Sequence, residues 1–303
     1  MCKRLMIVGA LTASMLCSAG GAFAQKIEDT GDFVLQMKKP KDEAMQTIRK
    51  LMDERGRFEF LINVLNAFLA LPEDITVTFR EGDAGDAYYD SSAKQIVISY
   101  QFVELIYRLF AENEYIDPES EEDFDHVISV AEGVLLHEAG HALIDTLNIP
   151  VVGREEDAVD ALSTLLMLAV QEKPELLMAQ PAFWNFLGEA RSTIEDEDFQ
   201  DEHGLHEQRY YNILCWIYGS DPKKFAEYAD DWGLGEGRAE RCPDEFTKLN
   251  DSWDALLLPY EKELEEGSDA DEKASDEESA EQETETGDTE TGWGNAIHDA
   301  ADE

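Results

Sequence analysis

Residues 134–144 read VLLHEAGHALI, an apolar run interrupted only by two histidines, a glutamate and a glycine. Such a run, free of proline, predicts a helix that passes through the core. Residues four apart lie on one face of an α-helix, so His137 and His141 can reach a single cation, with Glu138 beside its open position. Unpaired histidine and glutamate are costly in a core, so the pattern favours a metal site over paired structural polar residues.

The chemistry typical of this spacing is metal-assisted hydrolysis. A bound zinc ion lowers the pKa of water from about 15.7 to about 7, and Glu138 could take the released proton. A catalytic zinc ion usually has three protein ligands and one water. The two histidines therefore predict a third ligand elsewhere in the chain.

Residues 156–160, EDAVD, provide the candidates for that ligand. Glu156 and Asp160 share one helical face, so Glu156 can bind the metal while Asp160 contacts a ligand histidine. Acidic residues in a first helical turn also favour the helix dipole, which is the structural alternative. Glu156 is the expected ligand, and Glu155, Asp157 and Asp160 stay open because any carboxylate suits zinc.

The periodicity of the whole chain predicts an α+β fold that is mostly helical, in a domain that spans residues 25–260. Two β-branched runs, 75–79 and 95–100, predict strands of a small sheet, and the second could be an edge or a central strand. The predicted helices cover 43–71 with a break at Gly56, 102–110, 124–147, 155–171, 175–193, 207–218, 222–230 and 243–258.

The first 24 residues have the features of a signal peptide. Basic residues precede the apolar stretch 5–16, and residues 22–24 form an A-x-A cleavage site. Leu16 precedes Cys17, where a lipoprotein signal requires a small residue, so we expect a periplasmic or extracellular protein that is not a lipoprotein. No later segment reaches about 18 uninterrupted apolar residues, which predicts no membrane span.

Two cysteines follow the signal peptide, Cys215 and Cys242. In an oxidising compartment a lone pair predicts a disulfide, and two buried free thiols are the alternative. We expect neither to bind the metal.

The formal net charge is -44, from 68 acidic and 24 basic residues. This balance excludes nucleic acid as a partner and leaves cations and basic peptides. Part of the charge lies in residues 261–303, which have almost no aliphatic side chains and are predicted to be a disordered acidic tail.

The pair HEAGH and EDAVD resembles the gluzincin metallopeptidases, the thermolysin-like clan. The resemblance implies a zincin-like fold, with a small sheet packed on the HEAGH helix and on a second ligand-bearing helix. It implies zinc ligands at His137, His141 and Glu156, and Asp160 as the partner of His137. Asp145, one turn beyond the motif, looks like the aspartate that follows it in thermolysin. The clan holds substrate as an added strand at a sheet edge near the active helix.

Longer stretches look like a bacterial family of unknown function described as putative metallopeptidases. They are LLHEAGHALID, GREEDAVDALSTLLM, DEHGLHEQRYYNILCWIYGSDP and ERCPDEFTKLNDSWDALLLPY, and the similarity covers most of residues 32–260.

The sequence departs from thermolysin where that enzyme has a histidine that stabilises the oxyanion. A developing oxyanion needs a preorganised donor, and His203 is the first candidate. The alternative is a surface-loop histidine paired with Asp201 or Glu202. Other candidate donors are Arg209, Tyr210 and Tyr211.

These observations predict an exported zinc-dependent peptidase in which Glu138 is the general base. Two alternatives remain. One is a non-catalytic protein that keeps the zincin scaffold and binds a basic or cationic partner through its acidic surface. The other is a zinc hydrolase that acts on a non-peptide substrate. The substrate and the oligomeric state are not predicted.

Overall fold

The computed structural model of the chain describes residues 27–262. Within this range the fold is α+β and mostly helical, as predicted, with a four-stranded mixed sheet. The predicted signal peptide lies outside the described residues, as does the predicted acidic tail from residue 263 onward.

The sheet has the strand order β1-β2-β4-β3. Strands β1, β2 and β4 run parallel, and β3 runs antiparallel to β4. The strands are β1 (Phe33–Met37), β2 (Ile75–Arg80), β3 (Ala87–Asp90) and β4 (Gln95–Ser99).

Strands β2 and β4 confirm the two predicted β-branched runs, and β4 is a central strand. The second run was predicted to extend to Tyr100, but it ends one residue earlier. The side chain of Ser99 accepts a hydrogen bond from the Phe102 N–H at 2.9 Å and caps the next helix. Strand β3 lies inside the polar segment that joins the two predicted strands, and it forms the edge of the sheet.

The helices follow the predicted periodicity closely. They are α1 (Glu43–Arg55), α2 (Arg57–Phe68), α3 (Tyr100–Glu112), α4 (Phe124–Leu147), α5 (Glu155–Val170), α6 (Pro174–Leu177), α7 (Ala179–Ala190), α8 (His206–Ser220), α9 (Ala226–Asp231), α10 (Glu236–Ala239) and α11 (Cys242–Leu257). Gly56 separates α1 from α2 with φ of 61°, a left-handed conformation that glycine adopts without a steric penalty. The helix predicted over 175–193 is divided into α6 and α7.

Helix α4 is the centre of the core. It contacts α2, α3, α5, α6 and α7, together with strands β3 and β4. By length and composition this helix could also cross a membrane, but 94% of its most apolar window is buried inside the protein. This burial is typical of the core helix of a globular domain.

A disulfide between Cys215 and Cys242 joins α8 to α11, as predicted. Both cysteines are buried, and they are 27 residues apart in the chain. Closing a loop of this size contributes roughly 3 kcal/mol to stability by the chain-entropy model.

Residues Glu261 and Lys262 are part of the described fold. Glu261 forms an isolated antiparallel bridge with Leu69, and the Lys262 ammonium contacts Asp29 at 2.8 Å. The segment predicted to be an acidic tail therefore begins with two residues that pack beside the end of α2.

Candidate metal centre

Helices α4 and α5 pack closely and carry most of the candidate residues. Helix α4 ends at Leu147, and Asn148 takes the left-handed conformation at its C-cap. A short loop then returns the chain to α5. Gly140 makes the approach possible, because a Cβ at this position would lie 2.8 Å from Val159 Cγ1 and 3.0 Å from Val159 Cβ.

Substitution Gly140→Ala is therefore expected to lower the free energy of unfolding by about 1–3 kcal/mol, since it forces two buried backbones apart. The measurement is equilibrium denaturation. In the Val159→Ala background the same glycine substitution should cost less, because the closer contact, with Val159 Cγ1, is gone while the one with the Cβ stays. An equal cost in both backgrounds would show that the two residues do not set the spacing of the helices.

The close approach places Glu156 against both histidines of the motif. The Nε2 atom of His137 lies 3.1 Å from Glu156 Oε2, and the Nε2 atom of His141 lies 3.3 Å from Glu156 Oε1. One ligand atom from each of the three residues lies within 4.8 Å of the others. Two imidazole nitrogens and a carboxylate oxygen form the kind of donor set that binds zinc and leaves a coordination position open.

Behind His137 lies a buried chain of polar contacts. The Nδ1–H of His137 donates to Asp160 Oδ1 at 2.8 Å, so its Nε2 faces Glu156. Arg209 donates from Nε to Asp160 Oδ2 at 2.7 Å and from Nη2 to Oδ1. The Arg209 guanidinium lies 3.5 Å from the centre of the Trp184 ring, in a cation–π contact.

The other carboxylates near the motif are placed differently. Glu155 lies behind His141, because its Oε1 is 2.8 Å from Nδ1 of that histidine, and Asp157 is exposed. Asp145 accepts hydrogen bonds from the Tyr89 hydroxyl at 2.8 Å and from Lys94 Nζ at 2.7 Å. It therefore connects the edge strand β3 to α4. Neither of these two partners of Asp145 is a histidine.

A cleft of 720 Å³ opens beside the histidines. Its lining includes Glu138 and His141 from α4, Glu156 from α5, Tyr89 from β3 and His203 from the loop before α8. Glu138 is 7% exposed, and this burial raises the pKa of its carboxyl group, although the nearby histidines partly offset the effect. A raised pKa suits a carboxylate that must take up a proton near neutral pH.

The site attracts positive charge. Burial would lower the pKa of His141, but its hydrogen bonds to Glu156 and Glu155 outweigh that effect and raise the pKa to about 9. Burial would raise the pKa of Glu156, but hydrogen bonds from His137, His141 and His203 hold it well below its usual range.

His203 reaches the same cluster from a different part of the chain. Its Nε2 lies 2.9 Å from Glu156 Oε2, and its Nδ1 lies 3.1 Å from Asp201 Oδ1. His203 therefore fits both interpretations given above. It is paired with Asp201, as expected of a loop histidine, and it lines the cleft, as expected of an oxyanion donor.

The alternative donors lie elsewhere. Arg209 is buried against Asp160 and does not line the cleft. The hydroxyl of Tyr210 donates to the backbone carbonyl of Trp232. Tyr211 is exposed beside a neighbouring depression that also contains Arg154. Of the residues considered as donors, His203 is the one that lines the cleft.

The link from Arg209 to Asp160 was not predicted from the sequence. A signal for it exists, because Arg209 shares a helical face with buried Ile213 and Trp216, and a guanidinium on a buried face requires a carboxylate partner. The sequence does not indicate that this carboxylate is Asp160, which lies 49 residues earlier.

A search of curated proteins and a search of solved structures gave no significant match to this chain. A family model described as "Putative metallopeptidase" matches residues 37–257, which include α4, α5 and the loop that carries His203. The match covers well over half of the 303 residues. The chain is therefore a member of this metallopeptidase family.

Proposed function

We propose that this protein is an exported zinc-dependent peptidase of the gluzincin type, with His137, His141 and Glu156 as zinc ligands. The observation that carries the proposal is the convergence of these three side chains, one ligand atom from each lying within 4.8 Å of the others. The family supports a metallopeptidase, and the donor set supports zinc as the metal.

The contacts behind the ligands support the assignment. A histidine that binds metal through one ring nitrogen usually donates from the other to a carboxylate. His137 does so to Asp160 at 2.8 Å, and His141 contacts Glu155 at the same distance. We assign Asp160 and Glu155 as residues that position the ligand histidines, and Arg209 as the residue that fixes Asp160.

Glu138 is the proposed general base. A bound zinc ion would polarise the scissile carbonyl and lower the pKa of water. Glu138 takes a proton from the attacking water and delivers it to the leaving amine. His203 is the proposed donor to the developing oxyanion, because it lines the cleft beside Glu156 and its orientation is fixed by Asp201.

Strand β3 is the proposed binding edge for an extended peptide. Within residues 27–262 it pairs with β4 on one side, and no described strand covers the other. The Ser99 N–H donates to the Asp86 carbonyl, so the alternation of an antiparallel pair directs the backbone groups of Tyr89 away from β4. A substrate strand could pair with them beside Glu138.

The proposal includes export to the periplasm or the extracellular space. The disulfide between Cys215 and Cys242 supports an oxidising compartment. The predicted signal peptide gives the same location from the sequence.

Cleavage of a peptide library with and without a chelator tests the proposal. We expect cleavage that a chelator abolishes and that zinc restores. We also expect His137→Ala to lose zinc, whereas His126→Ala, a control on the same helix outside the cluster, should retain it. Full zinc occupancy in His137→Ala would refute the ligand assignment. Zinc binding without cleavage of any peptide would favour a binding protein or a hydrolase of another substrate.

A further inference from the structure

Glu156 takes part in a second group of potential ligands. One ligand atom from each of Glu156, Glu202 and His203 lies within 4.8 Å of the others. The group is on the side of Glu156 that faces the loop before α8, and it lines the same cleft as the first site.

His203 has the contacts of a metal ligand. Its Nδ1 faces the Asp201 carboxylate at 3.1 Å, and its Nε2 faces Glu156 Oε2 at 2.9 Å. His137 shows the same pattern, with Asp160 at Nδ1 and Glu156 at Nε2. A carboxylate at one ring nitrogen leaves the other free for a cation, and this arrangement is typical of histidines that bind metal.

The carboxylate of Glu156 can serve both groups. Its Oε1 faces His141, while its Oε2 lies between His137 and His203. Carboxylates bind cations through one oxygen or both, so a bridging role needs no other residue. Glu202, which is exposed, supplies a further carboxylate from the loop.

We propose that Glu156, Glu202 and His203 form a second divalent-cation site that shares Glu156 with the zinc site. The inference rests on the proposed function, because the shared carboxylate is a ligand in both. Five carboxylates line the cleft together with one guanidinium and the imidazoles of His141 and His203, so acidic groups outnumber basic ones and the electrostatic potential favours a second cation. The second site is the more exposed one, and we expect it to bind more weakly than the first.

Occupation of the second site has a consequence for the chemistry. A cation there uses the Nε2 lone pair of His203, so this atom no longer donates a hydrogen bond into the cleft. The second cation and a substrate oxyanion therefore compete for His203. A high concentration of the divalent cation would occupy the second site and remove His203 as a hydrogen-bond donor.

The inference is tested by titrating the metal-free full-length protein with Zn²⁺ in the presence of a competing chromophoric chelator. Sodium chloride is added to screen the charges of the acidic surface. The wild type should bind two equivalents of different affinity. His203→Gln and Glu202→Gln should each bind one, with the tighter equivalent unchanged. Glu197→Gln removes the same charge from the same loop outside the cluster, and it should still bind two.

Three results would overturn the inference. One is a single equivalent in the wild type, which would leave the proposed zinc site intact. Another is a second equivalent that His203→Gln and Glu202→Gln affect no more than Glu197→Gln does. The third is a loss of the tighter equivalent in His203→Gln, which would make His203 a ligand of the first cation. Failure to bind any zinc would instead refute the proposed function.

Discussion

Glu138→Gln is expected to lower kcat/KM for peptide cleavage by about 10²–10⁴-fold, the usual contribution of a positioned general base. The amide has almost the same shape as the carboxylate but cannot accept the proton. Glu138 is not among the three residues that converge as potential ligands, so the variant should bind zinc as well as the wild type does. Steady-state kinetics and metal analysis on the same preparation measure both effects.

A matched control is Glu155→Gln, which removes a charge from the lining of the same cleft. Glu155 contacts His141 from behind, so its loss should weaken zinc binding and leave the activity of the zinc-loaded enzyme largely intact. If Glu138→Gln keeps its full activity, the residue is not the base. If it loses zinc, the residue is part of the metal site.

Asp160→Asn is expected to destabilise the protein by about 3–5 kcal/mol, because it leaves the buried Arg209 guanidinium without its anionic partner. Burial would raise the pKa of Asp160, but the charge of Arg209 and the hydrogen bond from His137 lower it to about 2, so the partner is ionised at neutral pH. The variant should also bind zinc about 10–100-fold more weakly, since His137 loses the carboxylate that orients it.

Two measurements separate these effects: the free energy of unfolding of the metal-free protein, and the zinc affinity by chelator competition. Asp157→Asn removes an exposed charge from the first turn of the same helix, so it should cost at most about 1 kcal/mol through the helix dipole and leave the zinc affinity unchanged. Combining Asp160→Asn with Arg209→Met should recover part of the stability, because the unpaired charge is gone, but not the zinc affinity. A single variant as stable as the wild type would show that the pair is not coupled.

Much of the helical framework could be predicted because its signals are local. The apolar run around HEAGH predicted α4 with both of its ends, and the β-branched runs predicted strands β2 and β4. Strands β1 and β3 were not predicted, because β1 (FVLQM) has a single β-branched residue and Ala87–Asp90 lies in a polar segment without a clear alternation. Their pairing depends on neighbours that are distant in the chain.

In the candidate site, too, contacts within one helix could be predicted from the sequence, and contacts between distant elements could not. The spacing from Glu156 to Asp160 predicted that these residues share a helical face, and they contact opposite sides of His137. The contacts of Asp145 with Tyr89 and Lys94 were not predicted, because they depend on how the sheet packs against α4. The contact between His203 and Glu156 was likewise not predicted, because His203 lies in an irregular loop whose conformation cannot be inferred from hydrophobic periodicity.

Because α4 is buried, metal binding at its histidines would be coupled to the stability of the folded protein. The helix that carries His137 and His141 is also the centre of the hydrophobic core, so unfolding would destroy the proposed zinc site. A ligand that binds only the folded state stabilises it by mass action, by about 4 kcal/mol at a free concentration 1,000 times its dissociation constant. If the proposed zinc site stabilises the fold in this way, scarcity of zinc would expose the protein to proteolysis and lower its abundance, even where each remaining molecule is fully active.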